Sequence, residues 1–565
     1  MAVDLNTILL ALDDNDISFT RYGDDCEVDG AEIDSRAVCV GSLFICKGKN
    51  FKLSYLAEAL IRGAAAIMLD EALHAKAKDQ FLLEFPELKQ RFLDTPRCVV
   101  GDIRRAMAVA ASVAWGRPAE RLRIIGITGT KGKTTTAVLL SKILKETSGR
   151  PVALIGTHMA SDGVNTFTST NTTPEAPELY KILASAAQRG CEYAVMEVSS
   201  QALKYERVLG LTFTVGCFLN ISPDHISASE HPDFADYYHA KERIFDLSRT
   251  LVLNAFPGDV EDALDSLRQA LERVKKPRYT FGDMSCCWHG GSGNKPGEAS
   301  CDNSGVRALF PGKQPDVVCT AHQQEGEYQE MHVAVNGTKT AYELALLGAC
   351  NRENALAALA CCYALSIHEA HIKGSAGKVF KNTQVEGRMN RTVSHDSKLS
   401  VYVDYAHNKA SYQQFFTTLR EISGDAYTIA VFGVCGDRAR NRWRDLPETA
   451  AVYADYLVLT TDEPDSCDPA ELIARMAEHV PNGVPYEEVV NRDVAVQRAV
   501  ELAYKKLASG CRVALCLLGK GQEDSITISG KKMPYTPDTK RPQQIVDAYN
   551  RSMADGSFSG PAGVL

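Results

Sequence analysis

The sequence predicts an α/β protein of three domains built on mostly parallel sheets. Its 565 residues exceed what one hydrophobic core usually supports, so several domains are expected. Short apolar runs of strand length alternate with helical stretches, which is typical of parallel strands joined by helices. One glycine-rich loop joins such a strand directly to a helix. We place the domains at residues 1–120, 121–383 and 384–565.

The N-terminal domain mixes short strand-like runs with helical stretches. Apolar content predicts strands at residues 37–40, 43–46 and 65–69. The segment WGRPAERLR at residues 115–123 predicts a linker, because glycine and proline interrupt the apolar pattern there.

The two larger domains carry the clearer strand series. In the central domain the predicted strands lie at residues 152–156, 193–198, 213–219 and 250–254. Residues 283–330 are polar and rich in glycine, so we expect an irregular insertion there. In the C-terminal domain we predict strands at residues 400–405, 427–434, 456–461 and 512–518, and a helix at 494–507.

The segment RIIGITGTKGKTTTAVLLSKILKE at residues 123–146 predicts a phosphate-binding loop. An apolar strand leads into a glycine-rich turn and then into a helical pattern, so backbone N–H groups and the helix N-terminus can approach a polyphosphate. Lys133 is placed to reach the β- and γ-phosphates, and the Thr134 hydroxyl to bind Mg²⁺. The spacing departs from the usual pattern, since Ile127 stands where the first glycine is expected. The alternative is an ordinary strand-to-helix turn.

Polar side chains follow two further strands of the central domain. Glu197 ends an apolar run, and His225 comes shortly after another. In a parallel sheet such residues share one edge, where a carboxylate near Thr134 is suited to hold Mg²⁺. Lys241 lies in the helical segment that follows. On the residues alone, Glu197 also fits a solvated loop and Lys241 a helix surface.

Composition excludes several classes of function. The net charge of −9 and the pI near 5.9 argue against a nucleic-acid-binding protein. We find no apolar run of the roughly 18 residues that a membrane span needs, and no basic leader with an apolar core. The 17 cysteines are irregularly spaced, which favours reduced thiols in a cytoplasm. A metal cluster drawn from Cys286, Cys287, His289 and Cys301 has the spacing of no zinc module.

Eight motifs occur in an order that resembles the Mur ligase family, of the UDP-N-acetylmuramyl-tripeptide synthetase type. They are ITGTKGKTTT, NTTPEAPEL, MEVSSQALKYERV, NISPDHIS…AKERIF, VEGRMNR, VDYAHNKAS, VFGVCGDRARNR and LGKGQED. The segment AEIDSRAVCVGSLFICKG at residues 31–48 is similar to the uridine-binding N-terminal domain of that type. The similarity extends over nearly the whole chain outside residues 283–330.

The resemblance implies a fold, a reaction and a set of ligands. The fold would be the three-domain Mur ligase architecture, with a central P-loop domain and a Rossmann-like C-terminal domain. The reaction would be an ATP-dependent peptide ligation, in which the γ-carboxylate of UDP-MurNAc-L-Ala-D-Glu becomes an acyl phosphate that a free amino acid attacks. ATP, Mg²⁺ and a CO₂-derived carbamate on a lysine would take part. We expect a cytoplasmic monomer with no nucleic-acid partner and no membrane span.

The resemblance also assigns roles to residues. It implies catalytic roles for Lys133, Glu197, His225 and Lys241. It implies metal ligands at Thr134, Glu197, His225 and Lys241, the last as N6-carboxylysine. It implies ATP contacts at Gly129, Thr130, Lys131, Gly132, Lys133, Thr134, Thr135, Arg388, Asp404 and His407, with Asp437 and Arg438 beside them. For the C-terminal residues the alternative is packing between domains. It implies contacts to the UDP-MurNAc-dipeptide at Ser35, Thr172, Thr173, Ser199 and Arg207.

The identity of the added amino acid depends on one charge reversal. Family members that add meso-diaminopimelate carry Asp-Asn-Pro-Arg, whose arginine pairs with the distal carboxylate of that substrate. This chain has Glu463 for the asparagine and Asp465 for the arginine. An aspartate repels a carboxylate and attracts an ammonium group, so we expect L-lysine, with L-ornithine next. The expected amino-acid contacts are Asp462, Glu463, Asp465, Asp468, Gly519 and Glu523.

Two other classes of protein fit parts of this pattern. A folylpolyglutamate synthase shares the phosphate loop and the acyl-phosphate route but lacks a uridine-binding domain ahead of the loop. A non-catalytic ATP-binding switch would leave Glu197 and Lys241 without a common purpose. Phosphate release that depends on both a UDP-sugar peptide and a free amino acid separates the three.

Overall fold

The computed structural model describes most of the chain. The described residues are 2–48, 50–157, 159–167, 169, 171–227, 230–285, 308–325, 328–436 and 440–554. The four cysteine and histidine positions of the drawn metal cluster, and Asp437 with Arg438, lie outside these ranges.

The N-terminal region forms a five-stranded sheet with helices packed on it. This region has seven strands, five of which form the sheet: β1 (Val3–Asp4), β2 (Phe19–Tyr22), β3 (Glu27–Val28), β4 (Ala31–Glu32), β5 (Leu43–Ile45), β6 (Ala66–Asp70) and β7 (Arg97–Val100). The helices are α1 (Leu5–Asp13), α2 (Leu53–Ile61), α3 (Glu71–Lys76), α4 (Leu82–Glu84), α5 (Lys89–Asp94) and α6 (Ile103–Ala114). The sheet order is β2-β7-β6-β5-β4, parallel except for the β2–β7 pair, while β1 and β3 pair separately.

One N-terminal strand prediction is wrong. Residues 37–40 form no strand, because a 3₁₀ turn at Ser35–Ala37 begins there, with the Asp34 side chain accepting from Arg36 N. Val38 is buried but Val40 is 84% exposed, so the apolar run has no continuous buried face. The strands predicted near residues 43 and 66 are confirmed.

The central region is built on an eleven-stranded sheet. Its strands are β8 (Arg123–Thr128), β9 (Val152–Gly156), β10 (Met159–Ser161), β11 (Thr166–Phe167), β12 (Tyr193–Glu197), β13 (Phe213–Phe218), β14 (Ser248–Asn254), β15 (Arg278–Asp283), β16 (Val317–Glu325), β17 (Tyr328–Val335) and β18 (Thr338–Leu344). Its helices are α7 (Lys133–Ser148), α8 (Ala176–Gln188), α9 (Ser200–Lys204), α10 (Phe234–Asp246), α11 (Glu261–Val274), α12 (Ala349–Ala364) and α13 (Glu369–Asn382). The order is β11-β10-β9-β12-β8-β13-β14-β15-β16-β17-β18. Within that order, the seven neighbouring strands β9-β12-β8-β13-β14-β15-β16 pair in parallel.

The prediction of an irregular insertion at residues 283–330 is wrong for the later part of that range, which contains β16 and the start of β17. Strand β16 continues the parallel sheet beside β15, and β17 and β18 extend it as an antiparallel meander. The alternation of buried and partly exposed residues along β17 follows the two-residue period of a strand. The glycine-rich composition nearby obscured this alternation.

The C-terminal region forms a six-stranded sheet. Its strands are β19 (Asn390–Val393), β20 (Leu399–Asp404), β21 (Tyr427–Phe432), β22 (Tyr456–Thr460), β23 (Tyr486–Val489) and β24 (Val513–Leu518), with a hairpin of β25 (Ser525–Ile528) and β26 (Lys531–Pro534). Its helices are α14 (Lys409–Ser423), α15 (Arg442–Tyr453), α16 (Pro469–Ala477), α17 (Arg492–Ala508) and α18 (Pro542–Ala554). The order is β19-β20-β24-β21-β22-β23, parallel except for the β19–β20 pair.

Three sheets with mainly parallel pairing confirm the predicted fold class. The predicted strands of the central and C-terminal regions agree with β9, β12–β14, β20–β22 and β24 to within two residues at each end. Within the described ranges, none of the helices combines the length and apolarity that crossing a bilayer requires.

Strand β8 lies between β12 and β13 and leads into the phosphate loop, so its packing is a test of the fold. A Cβ added at Gly126 would lie 2.8 Å from the Phe213 ring. We therefore expect Gly126→Ala to lower the free energy of unfolding by about 1–3 kcal/mol, because overpacking forces neighbouring groups to shift.

The measurement is the midpoint of thermal unfolding. The control is Gly374→Ala in α13, where nothing lies within 4 Å of the added Cβ and alanine is the better helix former. A midpoint of the first variant equal to or above that of the control would contradict the packing described for β8.

Candidate active site

The phosphate loop occupies the turn between β8 and α7, and glycine is required at two of its positions. Gly129 has φ 152° and Gly132 has φ 86°. A Cβ on Gly132 would lie 2.2 Å from Asn354 Oδ1, and one on Gly129 would lie 2.9 Å from Leu219 Cβ. The loop therefore keeps a shape that leads directly into the N-terminus of α7, where unpaired N–H groups of the first turn suit a polyphosphate.

Lys133 is the first residue of α7 and folds back over the loop. Its Nζ donates to the carbonyl oxygens of Gly129 at 2.8 Å and Thr130 at 3.1 Å. Burial lowers the pKa of the Lys133 ammonium, with Glu197 and Asp224 acting in the opposite direction. The lysine thus stands at the position where a cation would meet phosphate oxygens.

Glu197 is a carboxylate of the neighbouring strand β12 and is 2% exposed. Thr134 Oγ1 lies 3.0 Å from both carboxylate oxygens, and Thr157 N donates to Oε1 at 2.9 Å. A hydroxyl and a carboxylate beside a phosphate loop are the oxygen donors that Mg²⁺ takes together with phosphates and water. The residues present therefore fit a Mg²⁺ ion.

A second set of polar residues adjoins Glu197 on the other side. Thr173 Oγ1 donates to Glu197 O at 3.0 Å and accepts from Ser199 N at 3.0 Å. Arg207 Nη1 donates to Thr173 O at 3.1 Å, and Thr172 Oγ1 lies 3.1 Å from Thr157 Oγ1. The structure thus brings together four of the five residues expected at the UDP-linked substrate.

The fifth of those residues lies in the N-terminal region. Ser35 is buried at the start of the 3₁₀ turn, and its Oγ donates to Glu58 Oε2 at 2.7 Å. The structure gives it no described contact with the other four residues.

Lys241 is buried on α10 and lies against the phosphate loop. It is 1% exposed, its Nζ donates to Gly129 O at 3.0 Å, and it lies 4.7 Å from the centre of the Tyr237 ring. Burial, reinforced by the charge of Lys133, holds the pKa of Lys241 well below its usual value. A neutral amine at this position is a nucleophile, so the site fits carbamylation by CO₂.

Asp224 and His225 follow β13 and differ in environment. Asp224 lies 3.3 Å from Lys131 Nζ, and Asn408 Nδ2 donates to it at 2.9 Å. Burial alone would raise its pKa, but the charges of Lys131, His225 and Arg442 together hold that pKa below its usual value. His225 has φ 57° and its Nδ1 lies 3.2 Å from Glu230, with its side chain 46% exposed.

Three C-terminal candidates cluster at the end of β20. Asp404 accepts from Met389 N and Ala406 N, each at 2.7 Å, and burial raises its pKa. The Arg388 guanidinium lies 5.0 Å from the centre of the Tyr405 ring. His407 Nδ1 lies 2.7 Å from Tyr405 O, and burial, with the charge of Lys131, lowers its pKa well below the usual value.

The residues expected at the amino acid surround a buried lysine that the sequence analysis did not assign. Lys520 lies 3.0 Å from Glu463 and 3.9 Å from Asp462, and it also contacts Glu523. Tyr405 Oη donates to Glu523 at 2.6 Å. Burial raises the pKa of Asp462 to about 6, with Lys520 and Arg492 opposing.

The remaining expected contacts serve the local backbone. A Cβ on Gly519 would lie 2.4 Å from Asp462 Oδ2. Asp468 is exposed and caps α16, accepting from Ala470 N at 2.9 Å. Asp465 has φ 59°, and its backbone pairs with Thr527 beside the β25–β26 hairpin. The structure therefore brings Asp462, Glu463 and Glu523 together and gives Asp468 a capping role.

Asn354 is a further residue of this site that the sequence motifs did not indicate. It lies on α12, and Thr136 Oγ1 donates to its Oδ1 at 3.3 Å beside the phosphate loop. Asparagines three residues apart in the helix (Asn351 and Asn354) were the available signal, since buried polar side chains on a helix otherwise rich in alanine need a partner.

Comparison with known proteins places this geometry in a family. Residues 127–285 match the model of the Mur ligase middle domain, and residues 387–517 match the Mur ligase, glutamate ligase domain. A solved structure of a UDP-N-acetylmuramoyl-L-alanyl-D-glutamate--2,6-diaminopimelate ligase shares the fold, with a TM-score of 0.57 and 23% identity over 93% of this chain and 95% of that chain.

Two curated relatives match most of the chain. A UDP-N-acetylmuramoyl-L-alanyl-D-glutamate--L-lysine ligase of Enterococcus faecalis is 32% identical over 93% of this chain and 92% of its own length. A UDP-N-acetylmuramyl-tripeptide synthetase of Ligilactobacillus salivarius is 32% identical over 91% of this chain and 93% of its own length. The resemblance seen in the motifs is thereby confirmed, and this chain belongs to the Mur ligase family of ATP-dependent peptide-forming ligases.

Proposed function

We propose that this protein joins L-lysine to the D-glutamate of UDP-MurNAc-L-Ala-D-Glu, with hydrolysis of ATP, in peptidoglycan synthesis. The observation that carries the proposal is a continuous series of contacts that links the phosphate loop, through Glu197, to Thr173 and Arg207. It supports the binding of a phosphoryl donor beside an anionic acceptor. The name of the Enterococcus faecalis relative supports L-lysine as the added amino acid, and the name of the Ligilactobacillus salivarius relative supports a UDP-linked tripeptide as the product.

The reaction follows from the chemistry of a carboxylate. Its oxygen is a poor leaving group, so the γ-carboxylate oxygen first attacks the γ-phosphorus of ATP, releasing ADP and giving an acyl phosphate. The neutral amine then attacks the acyl carbon and gives up one proton, which leaves with the phosphate as the amide forms. Phosphoryl transfer of this kind depends mainly on positioning and on neutralising charge, and Lys133 is placed to supply positive charge.

Two bound groups would complete the site. Thr134 and Glu197 would hold Mg²⁺, which when bound neutralises charge on the phosphates. Lys241 would carry a carbamate, formed when its neutral amine adds to the carbon of CO₂ and loses a proton to solvent. We propose His225 as a further ligand, in keeping with its place on the loop after β13.

The roles that we propose at the substrates rest on the resemblance to the family. Ser35 would contact the nucleotide of the UDP-sugar, and the four central residues Thr172, Thr173, Ser199 and Arg207 would contact its peptide. Arg388, Asp404 and His407 would close over ATP from the C-terminal sheet, beside the loop residues Gly129, Thr130, Lys131, Gly132 and Thr135.

The acidic residues around Lys520 support an amino acid that carries a second ammonium group. Three carboxylates face one lysine, so the cluster keeps a net negative charge when all are ionised. A distal carboxylate would be repelled there, whereas the ammonium of lysine or ornithine would be attracted. We propose Asp465 as the residue that discriminates against meso-diaminopimelate.

We further propose three domains at residues 1–120, 121–383 and 384–565, each containing one of the large sheets. A cytoplasmic monomer remains our proposal for the state of the protein in the cell. The alternative of a folylpolyglutamate synthase gains less support, because the L-lysine ligase relative aligns over 93% of this chain, including most of the N-terminal region.

The proposed reaction is tested by mass spectrometry of the product formed from UDP-MurNAc-L-Ala-D-Glu, ATP and a panel of amino acids. We expect a tripeptide product with lysine, less with ornithine, and phosphate release only when all three substrates are present. Higher activity with meso-diaminopimelate than with lysine and ornithine would refute the proposed specificity.

Lys133→Met is expected to lower the rate of phosphate release by about 100-fold or more, because it removes a preorganised positive charge beside the transferred phosphoryl group. The rate at saturating substrates is the measurement. The matched control is Lys145→Met, an exposed lysine in the last turn of the same helix. Undiminished tripeptide synthesis by the Lys133 variant would end the proposed mechanism.

Lys241→Arg is expected to lose both most of the activity and the carbamate, because a guanidinium does not form one. Protein equilibrated with ¹³C-bicarbonate should show a carbamate carbon resonance in the wild type that is absent from the variant. Lys145→Arg serves as the control and should keep the resonance. The same signal in all three proteins would place the carbamate on another amine.

Asp465→Arg is expected to raise the activity with meso-diaminopimelate relative to lysine by at least about tenfold, the change that about 1.4 kcal/mol produces. Asp465→Asn is the control, since asparagine tolerates the positive φ while removing the charge. The ratio of kcat/KM for the two amino acids is the measurement. A ratio that stays constant in both variants would remove Asp465 from the specificity site.

A further inference from the structure

An ion pair joins the N-terminal sheet to the central sheet at the edge of the proposed substrate site. Lys47 follows β5 by two residues, and its Nζ contacts Oε2 of Glu175, which directly precedes α8. The side chains are 17% and 18% exposed, so the pair is largely withdrawn from water. Lys47 belongs to the same segment as Ser35, which resembles a uridine-binding segment.

Glu175 is shared between two cations. Its other oxygen, Oε1, lies 3.0 Å from Arg207 Nε, and the Arg207 side chain is 13% exposed. Arg207 also donates to Thr173 O. With all three ionised, the group of Lys47, Glu175 and Arg207 carries one net positive charge, and removal of the lysine charge leaves the arginine fully neutralised by Glu175.

The surroundings of this group are acidic. Glu175 and Glu32 both lie near Glu178, and burial together with repulsion by these two carboxylates raises the pKa of Glu178. Lys181 pairs with Glu32 at 2.6 Å, but it is 51% exposed and lies outside the contacts to Arg207. Without Lys47, an anionic substrate would therefore meet an excess of carboxylates at this face.

We propose that Lys47 is a positioning residue for the carboxylate-bearing peptide of the UDP-linked substrate, acting by sharing the negative charge of Glu175 with Arg207. The guanidinium then keeps charge available for a substrate carboxylate, and the N-terminal sheet is fixed beside the Thr173 segment. This inference rests on the proposed function and assigns a role to a residue outside the motifs that carry the phosphate chemistry.

The test compares full-length wild type with Lys47→Met in steady-state phosphate release, varying each substrate in turn. We expect the KM for UDP-MurNAc-L-Ala-D-Glu to rise about tenfold, which corresponds to about 1.4 kcal/mol, while the KM values for ATP and lysine stay within about twofold. The midpoint of thermal unfolding is measured on the same samples. Lys47→Arg, which keeps the charge, should recover most of the lost affinity.

Two further variants separate positioning from simple docking of the sheets. Lys181→Met removes the ion pair with Glu32, another pair between the N-terminal and central regions, and we expect a change in KM within about twofold, since exposed pairs contribute little. In the double variant Lys47→Met with Glu175→Gln, the KM should fall back toward the wild-type value. The reason is that Arg207 is no longer neutralised by an unshared carboxylate.

The outcomes distinguish failure of the proposed function from failure of the role proposed for Lys47. Wild-type protein with no activity on these substrates overturns the proposed function and this inference with it. An active wild type overturns the inference alone if Lys47→Met leaves the KM for the UDP-linked substrate unchanged. It is also overturned if Lys47→Met raises all three KM values together, if Lys181→Met has an equal effect, or if the double variant is no better than the single one.

Discussion

The hydrogen bonds between Thr134 and Glu197 are the contact on which the arrangement of the site depends. They join the start of α7 to the end of β12, the strand that pairs with β8. Because the carboxyl ends of parallel strands lie at one edge, the phosphate loop and the Thr173 segment meet there. The Glu197 carboxylate accepts from Thr134, and the Glu197 backbone carbonyl accepts from Thr173.

Two partly buried lysines, Lys131 and Lys133, give this edge its positive charge. Desolvation lowers the pKa of both, that of Lys131 to about 8, and it holds the pKa of the fully buried Lys241 well below its usual value. Such a group of amines is costly for the fold in isolation, and an anionic ligand offsets that cost. The acidic chain as a whole thus contains a basic pocket, as a polyphosphate substrate requires.

The sequence predicted the parallel strands well because each is a short apolar run buried on both faces, as in β9, β12 and β13. It also predicted the phosphate loop, whose residues are contiguous. It failed where the pattern is weaker or the partner is distant. β16 and β17 adjoin a glycine-rich stretch, which weakens their pattern. Lys520 is recognised only through its ion pair with Glu463, which lies 57 residues earlier in the chain. Asn354 and Lys47 were missed for the same reason, since their partners are fixed only by the fold.

The close approach of Asn354 to Gly132 has a consequence for the order in which the parts of the phosphate site form during synthesis. The residue that shapes the phosphate loop comes more than two hundred positions after it, on a helix that packs against α7. A chain that has emerged from the ribosome only as far as residue 345 contains every residue of the phosphate loop but lacks α12, the helix that carries Asn354. We therefore expect nucleotide affinity to arise late in synthesis, when α12 docks, and a truncation at that point to bind ATP poorly in a direct titration although its loop sequence is intact.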